Sequence, residues 1–235
     1  ADFGYTEGYK SKSKKSIRGG DRSHLFARLK KKFDTNNSNE TDLEINLQQV
    51  SDKKYFKLYK IESNLLDYET STLENTIDFN HFNDENNFSV NLQAAVYRTL
   101  KDSYNDKYEY ILPDLSLNKF LLSENFGYGN LQSNLKVHNY DTNKFEKFLI
   151  NDFEWNYDKS FLSSIYDGKI LTKIKNINYE TKNVSKYKEK PTSEVYGAFG
   201  YLASIDLFKK ESQSSRQFLT PKILLKYAPN YMKKE

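Results

Sequence analysis

The chain has 235 residues, of which 37% are hydrophobic, fewer than in a typical globular domain, yet it carries 19 Tyr, 16 Phe and one Trp. That aromatic content excludes disorder of the whole chain. The net charge is only +4 with acids and bases interspersed, and cysteine is absent; this argues against a dedicated nucleic-acid binder and excludes a disulfide framework or a thiolate metal site.

Period-2 alternation recurs from end to end, and helical periodicity is scarce. The opening ADFGYTEGYK has no charged segment followed by an apolar one, so no signal peptide is visible. RGGD (18–21) is a turn, because glycine supplies positive φ. HLFARLKKKF and DLEINLQQV read as strands, with DTNNSNETD (34–42) as a polar linker between them. LENTIDFNHF follows, then the turn NDENN (83–87). The clearest run is FSVNLQAAVY: Phe88, Val90, Leu92, Ala94 and Val96 share one face, and Ser89, Asn91, Gln93 and Ala95 the other. YEYILPDLSL comes next, then GYGN (127–130), which reads as a turn, then LQSNLKVHNY and the linker HNYDTNK (138–144). In FLINDFEWNY, Leu149, Phe153, Trp155 and Tyr157 share a face. After KILTKIKNINY, residues 178–194 form a long polar loop. VYGAFGYLASIDL puts Val195, Phe199, Tyr201, Ala203, Ile205 and Leu207 on one face. Leu219, Ile223, Leu225 and Tyr227 alternate in the last run around Pro221, which a central strand would reject.

The expectation is one all-β region, 1–235: an antiparallel meander of roughly ten strands. Several runs approach the about 9–11 residues of a tilted membrane strand rather than the ~5–6 of an ordinary one. No apolar run reaches the roughly 18 residues of a membrane helix. The alternation suits either a soluble β-sandwich with an aromatic core or an outer-membrane barrel with aromatic girdles and a polar lumen.

Chemistry-bearing motifs are absent. His24, His81 and His138 are far apart and lack metal-ligand spacing, and there is no nucleophile elbow or phosphate loop. The basic stretch Lys10–Lys32 reads as solvated surface before it reads as a phosphate patch. Among the many carboxylates, strand pairing could bring Asp114 near Asp152, though nothing in the sequence requires it. No catalytic, metal-binding or cofactor-binding residue is assigned, and no cofactor is expected.

Four segments, in order, resemble the outer-membrane LPS-assembly protein (LptD) family in its α-proteobacterial form. They are DFGYTEGYK with DRSHLFARLKKKF (2–33), QQVSDKKYFKLYKI (48–61), YEYILPDLSL (108–117) and SRQFLTPKILLKYAPNYM (215–232). Asn230 stands where that family usually has glycine. The resemblance implies a segment of a large transmembrane barrel of about two dozen strands, with the family's periplasmic jellyroll and the remaining strands lying outside it. It implies a non-enzymatic function: translocating lipopolysaccharide and inserting it into the outer leaflet of a Gram-negative outer membrane. The implied partners are lipopolysaccharide, an LptE-like lipoprotein plug, an LptA-like periplasmic bridge, the barrel-assembly machinery and outer-membrane lipid, with no nucleic acid. In that setting the row Phe88 to Val96 would face lipid, and Ser89, Asn91 and Gln93 the lumen. The alternatives are another outer-membrane barrel, a porin or substrate channel, or a soluble carbohydrate-binding sandwich.

Overall fold

Each alternating run carries one apolar and one polar row, and pairing as a strand puts those rows on opposite sides of a sheet. The computed structural model describes residues 1–7, 21–36, 38–103, 105–158, 166–210 and 216–229. The strands are β1 (Asp2–Thr6), β2 (Arg22–Asn36), β3 (Asn39–Val50), β4 (Thr72–Asn83), β5 (Phe88–Thr99), β6 (Tyr108–Ser123) and β7 (Gly127–Tyr140). They continue as β8 (Phe145–Asp158), β9 (Tyr166–Lys182), β10 (Thr192–Ile205), β11 (Leu207–Lys210), β12 (Arg216–Leu219) and β13 (Lys222–Tyr227). Among the described residues one helix, α1 (Tyr55–Tyr59), lies between β3 and β4.

The all-β antiparallel meander is what the alternation predicts. Among the described residues eleven strands form one sheet in the order β1-β2-β3-β4-β5-β6-β7-β8-β9-β10-β13, open at β1 and β13, while β11 pairs with β12. Strands β2 to β10 run 12 to 17 residues, two to three times the usual length of about 5–6. One row of directly opposed residues crosses nine strands: Phe33, Thr41, His81, Val90, Leu117, Ser133, Asn151, Asn176 and Val195. The register shifts by one residue at Leu112–Pro113 against both neighbours. A bulge there leaves the ladder's missing donor where proline has none to give.

Several predicted linkers prove to be strand. Of 34–42 only 37–38 lies outside β2 and β3, and of 178–194 only 183–191 lies outside β9 and β10. Residues 138–140 belong to β7. Backbone hydrogen bonds carry a ladder whatever its side chains, so polar strand ends look like loops in sequence. GYGN is not the turn: β7 begins at Gly127, and the turn is 124–126. Gly127 closes that turn with φ +80, and a Cβ there would lie 2.2 Å from the Asn156 carbonyl oxygen. Of the RGGD turn, residues 18–20 lie outside the described residues.

No second layer covers the sheet among the described residues. Most of the buried apolar side chains gather in one corner, where Phe26, Val50, Phe56, Leu73 and Leu100 form a cluster flanked by Ile61, Leu66 and Tyr68. The unexpected helix α1 builds this corner. Asp52 starts the turn by accepting the Lys54 N–H at 2.7 Å on its carboxylate. Lys60, at φ 46, ends the helix, and the Ile61 N–H returns to the Phe56 carbonyl at 3.3 Å, a left-handed C-terminal cap. Phe56 then meets Phe26 edge-on, with ring centroids 5.2 Å apart.

Candidate functional surfaces of the sheet

Directly opposed residues in an antiparallel pair project to the same side, so the register sorts the sheet into two faces. One is polar. It carries Lys30 opposite Glu44, Asp78 opposite Gln93, Asn91 opposite Ser116, Gln132 opposite Asp152, and Lys175 opposite Tyr196. Its charges neutralise one another across strands: Lys30 lies 3.5 Å from Glu44, Lys136 3.2 Å from Asp114, Lys175 3.3 Å from Asp152, and Lys173 also pairs with Glu154. Gln93 donates to Asp78 at 2.5 Å. Exposed pairs of this kind add little stability each. Their effect is to cancel charge across this face, which also carries apolar pairs such as Phe148 opposite Tyr179 and Ile150 opposite Ile177.

The other face is apolar and bare. It presents Leu25, Ala27 and Leu29 on β2, Leu43, Ile45 and Leu47 on β3, and Ile77 and Phe79 on β4. The predicted row Phe88, Val90, Leu92, Ala94 and Val96 follows on β5, with Ser89, Asn91 and Gln93 on the polar side. Leu149, Phe153, Trp155 and Tyr157 share this face on β8, as do Val195, Phe199, Tyr201, Ala203 and Ile205 on β10. Val195 is 60% and Phe199 53% exposed, which a sandwich core would not leave.

The apolar residues form a slanted belt. On β2 its middle residue, Ala27, lies six positions to one side of the nine-strand row at Phe33; on β10 its middle, Tyr201, lies six positions to the other side of the row at Val195. Leu92 on β5 and Phe153 on β8 fall between, two positions from the row on opposite sides. The belt thus slips about 1.5 residues per strand; at ~3.3 Å per residue and ~4.8 Å between strands, this is a slope of about 45°. Tilted strands crossing a level apolar layer would produce that slope, and barrel strands tilt by about 35–45°.

Polar groups within the belt are mostly satisfied. Ser133 donates to Asn151 at 2.7 Å, Asn151 to Asn176 at 3.3 Å, and Asn178 to the same Asn176 oxygen at 2.6 Å. Lys119 bends to the Asn86 carbonyl. Aromatic rings edge the belt: Tyr108 and Tyr110 stack at one end of β6, and Trp155 and Tyr157 at the opposite end of β8. The Trp155 indole N–H donates to the Phe126 carbonyl at 2.7 Å.

At the rim that carries α1, the polar face hollows into a cleft of about 560 Å³ lined by Tyr97, Lys101, Asp106, Glu109, Lys144 and Glu146, among others. Loop 100–107 is fastened to turn 141–144 there. Lys144 reaches Asp106 at 2.7 Å, Thr142 donates to the same carboxylate, and the Lys107 N–H donates to Asp141 at 3.0 Å. The Lys144 hydrogen bond, then that from Thr142, holds the Asp106 carboxyl below its ordinary value, with desolvation opposing. This clamp was not legible in the sequence, because its two halves lie 38 positions apart.

The residues singled out from sequence do not converge. Asp114 and Asp152 share the polar face, but β7 separates them and each pairs with its own lysine. His24 stacks on Phe26, His81 meets Thr41 at 2.9 Å, and His138 lies 2.7 Å from Glu109, each on a different strand. Among the described residues no group of three or more His, Asp or Glu is placed to hold a metal. Within the basic stretch, Lys10 to Arg18 lie outside the described residues, while Arg28, Lys30 and Lys32 pair with Glu44 and Asp42. No family model matches this chain, and no curated protein matches its sequence.

Proposed function

We propose that this chain forms part of the wall of a large outer-membrane barrel of the LPS-assembly type, which translocates lipopolysaccharide and inserts it into the outer leaflet. The slanted, uncovered apolar belt backed by a charge-paired polar face is the observation that carries the membrane-wall reading. In hydrocarbon every backbone polar group needs an internal partner, which a continuous ladder supplies. The belt then meets lipid, and the polar face meets water and the passing sugar chain. The cargo comes from the resemblance of the four segments, and so do the lipoprotein plug, the periplasmic bridge and the barrel-assembly machinery. Transport of this kind breaks no covalent bond, so the proposal needs no catalytic group.

The test places a photo-crosslinking residue at Asn91 or Gln132 on the polar face, and at Leu92 on the belt, in cells that make lipopolysaccharide. Lipopolysaccharide adducts at Asn91 and Gln132, with phospholipid adducts at Leu92, are the expected outcome. Small-solute diffusion without lipopolysaccharide adducts would move the chain to the porins. A monomer that stays in solution without detergent would end the membrane reading altogether.

A further inference from the structure

On the belt face, between β8 and β10, the sheet hollows into a groove of about 330 Å³ beside loop 183–191. Its lining includes Lys147 and Leu149 on β8, Asn178 and Glu180 on β9, and Ser193 on β10, with Pro191 at its edge. By the register these five strand residues stand on the same side as Asn151, Asn176 and Val195. The groove therefore opens away from the polar face.

Its depth follows from the slope of the belt. Counting from Tyr201 on β10 at about 1.5 residues per strand, the belt's middle passes near 172 on β9 and near 154 on β8. A strand tilted by about 45° rises ~2.3 Å per residue along the membrane normal. Leu149 then lies ~12 Å from the middle, Lys147 and Asn178 ~15 Å, and Glu180 and Ser193 ~19 Å, against a hydrocarbon half-thickness of about 15 Å. The groove straddles the boundary between acyl chains and headgroups. Loops 51–71, 100–107 and 183–191 share its end of the sheet, and turns 84–87 and 124–126 lie at the other. Outer-membrane barrels keep their longer loops outside, so this boundary belongs to the outer leaflet.

The polar ladder on this face ends in the groove. Ser193 donates to Asn178 at 2.6 Å, and Asn178 in turn to Asn176. The Ser193 hydrogen is spent inside the protein, and its oxygen is left to accept. Lys147 stands directly opposite Glu180, and Lys182 lies two residues further out on the same side. None of the three joins an ion pair among the described residues, whereas Lys173 and Lys175 on the polar face each pair with a carboxylate. Two free ammonium groups suit a phosphate. The Glu180 carboxylate and the Ser193 oxygen suit hydroxyl donors. Phosphatidylcholine has no donor to offer them, and a phosphorylated sugar has several. Leu149 and Pro191 supply apolar walls for the first acyl carbons beneath.

We propose that this groove seats one phosphorylated glycolipid of the outer leaflet, with its phosphate at Lys147 and Lys182, sugar hydroxyls at Glu180 and Ser193, and an acyl chain along Leu149. This rests on the reading of the sheet as a membrane wall. Because the chain has no cysteine, Val195→Cys, just below the groove, and Leu92→Cys, outside it, can each carry a single bimane label in the full chain. Each is folded into vesicles of brominated phosphatidylcholine. Unbrominated lipid A (the phosphorylated, acylated glucosamine disaccharide), phosphatidylethanolamine or phosphatidylglycerol is then titrated in. The brominated lipid should quench both probes. Lipid A should relieve quenching at Val195 at a mole fraction about tenfold below that needed at Leu92, while the two phospholipids relieve both alike. Lys147→Gln with Lys182→Gln should raise the lipid A dose at Val195 to that at Leu92. Equal lipid A doses at the two positions in the chain with both lysines overturn the site. Either phospholipid acting as strongly as lipid A at Val195 overturns the sugar contacts, and an undiminished preference in the lysine variant overturns the phosphate seat. Quenching at Leu92 without quenching at Val195 overturns the site and leaves the wall standing. No quenching at either position removes the wall and the site together.

Discussion

The corner under α1 and the bare expanse from β5 to β10 are held together differently. In the corner, Phe26, Phe56 and Leu73 lose all contact with water, as residues of a soluble core do. Across β5 to β10 the same kinds of side chain stand uncovered, and order comes from long backbone ladders and cross-strand pairs. On the membrane-wall reading proposed above, the apolar belt is not an unfinished core: its residues would meet a surrounding phase, while the corner brings its own cover.

Four perturbations break or sharpen that contrast. Phe56→Ala should remove about 3–5 kcal/mol from the corner, seen as early proteolysis of 51–71 in the membrane-inserted chain while β7 to β10 stay protected. Loss of protection throughout would mean that the two regions are one cooperative unit. Leu92→Arg, on the belt, should cost about 2–4 kcal/mol in bilayers, whereas Gln93→Arg, one position along and on the polar face, should cost close to nothing. Equal costs by denaturant titration in vesicles would erase the distinction between faces. Gly127→Ala places a side chain at φ +80 against the Asn156 carbonyl and should cost about 1–2 kcal/mol, read as weaker hydrogen-exchange protection at the β6–β7 turn. The smallest effect concerns Asp106. Its folded carboxyl titrates below the ordinary 3.8, so the clamp contributes fully above that value and is lost as pH falls through the lower folded one. Hydrogen exchange of loop 100–107 should rise in that acid range, and Asp106→Asn should flatten the rise.

Much of this architecture was legible because a period of two marks strands and names their faces. The rows Phe88–Val96 and Leu149–Tyr157 could be assigned to one side without coordinates. The polar strand ends were not legible, since Asn178 and Glu180 pair as well as any valine would. Helix α1 escaped because five residues are too few to display a helical period. The slope of the belt was hidden too: it exists only once Phe33 is known to stand in line with Val195. Pairings such as Lys136 with Asp114 and Lys144 with Asp106 are facts of register and loop contact, and local spacing is blind to them.

The open sheet also carries a parity. Neighbours alternate in direction, and eleven strands lie between and including the two edges, so β1 and β13 point the same way. Two strands pointing the same way cannot join as antiparallel neighbours. Closing this meander into an all-antiparallel ring therefore takes an odd number of additional strands, which makes the total even, as in bacterial outer-membrane barrels.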